Sequence, residues 1–82
     1  MSKNYNYVVL PSLRARVIAQ YLTKQNVEHT LLSENEMTEE GVSPSCTYKG
    51  RYFDNNILCI KSELTEEEIY KIDDKTKHTK LN

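Results

Sequence analysis

Apolar residues recur at steps of three and four through residues 12–25, SLRARVIAQYLTKQ, where Ala15, Val17, Ile18, Ala19, Tyr21 and Leu22 gather on one broad face. Arg16, Gln20, Thr23 and Lys24 fall on the other. The spacing predicts an amphipathic helix. Pro11-Ser12 supplies its start, the Ser12 hydroxyl being a candidate acceptor for a first-turn amide. Asn26 supplies its stop, because Asn tolerates the left-handed backbone that follows a last helical turn. Tyr7-Val8-Val9-Leu10 precedes the helix and residues 27–32, VEHTLL, follow it. The pattern is therefore a βαβ unit, with the helix crossing over a neighbouring parallel pair. The first strand, beginning near Tyr5 after a frayed start at residues 1–4, is apolar on both parities and is expected at the centre of its sheet.

Beyond the unit, Ser33 and Glu36 have capping-box spacing, with Leu32 and Met37 placed to staple across the cap. A short helix over Glu34–Glu40 closed by Gly41 is expected, the alternative being a mobile acidic loop. Residues 42–45 connect to Cys46-Thr47-Tyr48 and Arg51-Tyr52-Phe53, a hairpin turning on Lys49-Gly50. After the turn cluster Asp54-Asn55-Asn56, the apolar run Ile57–Ile60 suits a buried strand, either a continuation of the hairpin past a bulge or a further strand. Thr65 and Glu68 form a second capping box with Leu64 and Ile69 as its staple, and Glu67 can pair with Lys71. These signals predict a last helix from Glu66 to about Asp73. The reading is a single α+β domain over residues 1–73 and a flexible polar tail over residues 74–82.

Length and composition narrow the class. Eighty-two residues hold one core and no second domain. Eleven basic against twelve acidic residues leave the chain near neutral, which excludes a globally basic nucleic-acid-wrapping protein. The longest apolar run is four residues, so no membrane span is expected, and the polar start MSKNYN has no signal-peptide core. A cytoplasmic protein is expected. There Cys46 and Cys59 would be free thiols, because the compartment keeps thiols reduced.

The order β, α, β, short α, hairpin, α resembles the thioredoxin fold, particularly small glutaredoxins and the N-terminal domain of glutathione transferases. The likeness rests on YVVLPSLRARVIAQYLTKQNVEHTLL as first strand, first helix and second strand, and on Ser43-Pro44 lying ahead of Gly50 at a spacing similar to the family's cis-proline and hairpin glycine. Where that family carries Cys-x-x-Cys, this chain has Ser12-Leu13-Arg14-Ala15, so the resemblance implies a scaffold without dithiol chemistry. It also implies that Ser12 either polarises a glutathione thiol, as in some transferases, or only caps the helix. Ser43-Pro44-Ser45-Cys46 is similar to a segment of short βαβ proteins thought to carry sulfur or selenium.

Among reactive groups Cys46 stands first, because Lys49 and Arg51 lie close in sequence and would lower its pKa. A half-buried packing role is the alternative. His29, His78 and the two cysteines lack the paired spacing of metal ligands. No G-x-S-x-G elbow and no Gly-rich phosphate loop occur, so neither enzyme activity nor a cofactor or metal is expected. The hairpin Tyr48-Lys49-Gly50-Arg51-Tyr52-Phe53 interleaves aromatic and basic residues, which suits single-stranded nucleic acid. Arg14, Arg16, Lys49 and Arg51 are expected to share one end of the domain as a basic patch. The leading expectation is a non-enzymatic module that docks on a larger protein partner, as inhibitor or adaptor, through Ser12, Arg14, Arg16, Pro44, Cys46, Tyr48, Lys49, Arg51 and Tyr52. The rivals are a thiol or sulfur carrier using Cys46 and a nucleic-acid binder using the hairpin.

Overall fold

The computed structural model describes residues 4–81. The fraying expected at residues 1–4 lies, apart from Asn4, outside the described residues, as does residue 82 of the expected tail. The chain forms an α+β domain in the order β1 (Asn6–Pro11), α1 (Ser12–Lys24), β2 (His29–Leu32), α2 (Glu34–Glu39), β3 (Cys46–Tyr48), β4 (Arg51–Phe53), β5 (Ile57–Ser62) and α3 (Glu66–Lys75).

The strands do not pair as the pattern around α1 suggests. β5 lies between β1 and β2 and runs antiparallel to both, giving the order β1-β5-β2. The neighbouring parallel pair is therefore replaced by a split one, and β1, expected at the centre, stands at the sheet's edge. The reason is in the side chains of β5. Ile57 and Cys59 are buried on one face, Ile60 is buried on the other, and Leu58 packs beside it, which suits β5 to the central place. β1 is also apolar on both parities because β3 and β4 close over it: Val9 shares a cluster with Cys46 and Phe53, residues of the hairpin.

Register assigns each strand residue to a layer. Val8 and Leu31 both lie opposite Ile60, and with Leu10 they form one layer with Ile18 and Leu22 of α1 and Ile69 of α3. Val9 and Leu32 lie opposite Cys59 and pack on the other side with Met37 of α2, Val42 and Phe53. The predicted apolar face of α1 is buried at Ala15, Val17, Ile18, Ala19 and Leu22, with Val17, Ile18 and Leu22 at most 2% exposed, and half-buried at Tyr21.

Element ends follow local chemistry, with three corrections. Ser12 does not cap α1: Pro11 holds the cap position without a side-chain bond, and the Ser12 amide instead donates to the Asn56 carbonyl at 2.7 Å. β2 starts at His29 rather than Val27, because Asn26 takes φ 58° and the Val27 amide turns back to the Leu22 carbonyl, while the Asn26 amide bonds Thr23. This is the paired closure of a Schellman motif. The same closure ends α2 at Gly41, φ 77°, with Val42 bonded to Met37. Both capping boxes form, at Ser33–Glu36 and Thr65–Glu68. Last, α3 runs on to Lys75 and Thr76 is buried, so the ordered domain passes beyond residue 73.

The hairpin is a separate two-stranded sheet, and β5 is a further strand rather than its continuation. Lys49 and Gly50 both take positive φ, 50° and 79°, as a two-residue primed turn requires. Only Gly50 does so without strain. Replacing Lys49 with Asn, which tolerates this region, is expected to stabilise the domain by about 1 kcal/mol. The thermal midpoint should then rise by roughly 4–8 °C, and an unchanged or lower midpoint would refute this account of the turn.

Candidate functional site

The helix start, the hairpin and the end of α3 converge, but not as a basic patch. Arg14 points inward. Its Nε donates to Asp73 Oδ1 at 2.6 Å, and its Nη2 donates to the Asp73 carbonyl at 2.9 Å and to Thr76 Oγ1 at 3.2 Å. From the hairpin, the Tyr48 hydroxyl donates to Asp73 Oδ2 at 2.7 Å. Both carboxylate oxygens are thus satisfied, and no buried side-chain polar atom among the described residues lacks a partner. Burial, and secondly the bond to Asp73, push the Tyr48 phenol up to about 12. Arg14 and Tyr48, expected at a binding surface, instead hold α1, α3 and the hairpin together through a carboxylate that is only 4% exposed.

Cys46 is half-buried against the layer containing Met37, and burial pushes its thiol pKa up. The expected lowering by Lys49 and Arg51 does not occur. The Lys49 ammonium lies 5.5 Å from the Tyr48 ring centre and the Arg51 guanidinium 5.4 Å from that of Phe53, so each cation faces an aromatic ring. Cys59 is fully buried, its thiol raised to about 11 mainly by desolvation. Pro44 is exposed in the connector, and its peptide bond is trans. Of the hairpin aromatics Tyr48 is turned inward and Phe53 is half-buried, which leaves Tyr52 as the exposed ring.

A groove of about 380 Å³ lies at the start of α1. Pro11, Ser12, Leu13 and Arg16 form one wall, Phe53 and Asn56 the other, and Leu81 borders it from the segment after α3. The Ser12 amide bond to Asn56 stitches the two walls together. Arg16 is exposed at the rim, and Arg51 lies over the face of Phe53. Neither forms an ion pair with a described carboxylate. Ser12 and Arg16 were expected here, whereas Leu13, Phe53, Asn56 and Leu81 were not. The readable signal was Leu13, a leucine beside the predicted buried set that is 62% exposed. Asp73 carried a signal too, standing with Ile69, Ile72 and Thr76 on the inward stripe of α3.

A second polar cluster sits at the open end of the sheet. The Tyr7 hydroxyl and the Lys61 ammonium both donate to Glu40 Oε1 at 2.8 Å, and the ammonium lies 5.1 Å from the Tyr5 ring centre. The bond from Lys61, followed by that from Tyr7, holds the Glu40 carboxyl below the usual range. These exposed rings are tied to neighbours in the chain, unlike Leu13. Among the described residues no group of three His, Cys, Asp or Glu is arranged to hold a metal, and no helix is long and apolar enough to cross a membrane.

Arg14→Ala leaves Asp73 buried without its cation and should destabilise the domain by roughly 3–5 kcal/mol. The pair Arg14→Met with Asp73→Leu should cost less than the sum of the single changes; in urea titrations, additivity within about 0.5 kcal/mol would show that the two do not interact. Cys46 should react with iodoacetamide at pH 8 more slowly than free cysteine, because fewer thiols are ionised. Peptide mapping that found equal or faster modification would contradict the raised pKa. Comparison of the chain with protein-family models, curated proteins and solved structures finds no match.

Proposed function

We propose that the protein is a non-enzymatic binding module of a reducing, cytoplasmic setting, which docks on a larger protein through the groove at the start of α1. The observation that carries this reading is the exposure of Leu13 beside Phe53 and Leu81. The large exposed hydrophobic residues are Tyr5, Tyr7, Leu13, Tyr52 and Leu81. Tyr5 and Tyr7 place their hydroxyls on Glu28 and Glu40, and Tyr52 alternates to the hairpin face opposite Phe53. Leu13 and Leu81 have no polar handle, and both line the groove. Apolar side chains that converge on a concave surface with Arg at its rim match the composition of interface centres.

A carrier role for Cys46 draws no support from a thiol whose pKa is raised.

Photo-crosslinking from a reactive residue placed at Leu81 tests the reading in native host extract. The expected result is saturable capture of one protein. Unlabelled wild-type chain should compete it away, as should Tyr52→Ala, while Leu13→Ser should compete at least tenfold less well. Equal competition by Leu13→Ser, or no saturable capture, would refute docking at this groove.

A further inference from the structure

The two unpaired arginines specify what the groove takes. The chain has three arginines, Arg14, Arg16 and Arg51. Arg14 is neutralised by buried Asp73, whereas Arg16 and Arg51 stand beside the apolar walls with no carboxylate partner among the described residues. Asp54, next to Phe53 in the exposed turn, pairs with neither. The first amide of α1 is donated to the Asn56 carbonyl and is not free for an anion.

From this we infer that the groove binds an acidic peptide segment anchored by one or two large apolar side chains, the anchor resting between Leu13 and Phe53 and the flanking carboxylates meeting Arg16 and Arg51. The inference rests on the docking reading above and names the chemistry of the partner's contacting segment. Guanidinium groups suit this role because their planar donor fork matches a carboxylate and they are more weakly hydrated than an ammonium. The groove volume, about 380 Å³, suits one or two anchor side chains rather than a folded element. Leu81, already at the border, shows that the surface accepts an aliphatic chain, and an incoming segment would share that side of the groove with it.

The test uses three fluorescein-labelled heptapeptides and the whole chain. The first is Glu-Asp-Glu-Leu-Phe-Glu-Asp, the second has Lys at every acidic position, and the third has Ser in place of Leu and Phe. Anisotropy should show saturable binding of the first, at least tenfold tighter than either control and weakened by added salt. Arg16→Glu should weaken it at least tenfold, whereas Lys24→Glu, at the far end of the same helix, should change it less than twofold. Equal binding of all three peptides, no saturable binding, or indifference to Arg16→Glu would overturn the inference. So would an oligothymidylate that binds more tightly than the acidic peptide and is lost with Arg16→Glu, since the arginines would then serve phosphates. Should the peptides fail while Leu13→Ser still abolishes competition in the crosslinking experiment, only the acidic class falls. If both fail, the docking reading falls with it.

Discussion

The fold depends on where β5 can go. Its alternate residues are apolar on both sides, and the place between β1 and β2 covers both. Register then does the sorting. Ile60, flanked by Val8 and Leu31, belongs to the layer of α1 and α3, and Cys59, flanked by Val9 and Leu32, belongs to the layer of α2. A slip of one residue would exchange these assignments and drive Lys61 into the helix layer. It would also break the Lys61 bond to Glu40 that ties the end of α2 to the sheet. Because β5 intervenes, α1 must bridge strands two places apart, about 9–10 Å, which is why its buried face is broad and spans Ala15 to Leu22.

The groove inherits its shape from a contact that is not part of it. Asp73 is the carboxylate on the inward stripe of α3, and it accepts from Arg14 on α1 and Tyr48 on β3. That arrangement sets the rotation of α3 against α1 and draws β3 down. Since β3 pairs with β4, with Cys46 opposite Phe53, the position of Tyr48 also sets that of the Phe53 ring. The buried ion pair thereby connects a charge in the core to an apolar wall at the surface. A buried pair gives little net stability against a well-packed apolar replacement. Its consequence here is one defined placement of the hairpin.

Local signals in the chain were readable wherever a few neighbouring residues decide the outcome. The stripe of α1, the boxes at Ser33 and Thr65, the stops at Asn26 and Gly41 and the turn at Lys49-Gly50 all formed, because each is settled by contacts within about six residues. Strand order was not readable in this way. A strand apolar on both faces looks the same whether strands or a folded-over hairpin cover it, so Tyr7–Leu10 read as central although β5 holds that place. The basic patch failed for a related reason: Arg14 and Arg16 differ by two positions, which on a helix turns one inward and leaves the other in solvent. Asp73, 59 residues from Arg14, completes the pair, and nothing near Arg14 in sequence announces it. Leu13 was the overlooked local sign of the groove.

The net charge of −1 conceals a division of the surface. Acidic residues collect on α2 and the first turn of α3, where Glu34, Glu36 and Glu66 to Glu68 meet the positive ends of helix dipoles and the capping amides. Glu36 and Glu68 accept from the amides of their own cap residues, Glu67 pairs with Lys71, and Glu40 is held by Lys61 and Tyr7. Arg16 and Arg51 have no carboxylate partner among the described residues. A partner approaching this domain meets the local charge at short range, because at physiological salt a charge is screened beyond about 8 Å. On the docking reading proposed above, local charge would select the face and burial of apolar surface beside Leu13 would set how long the encounter lasts.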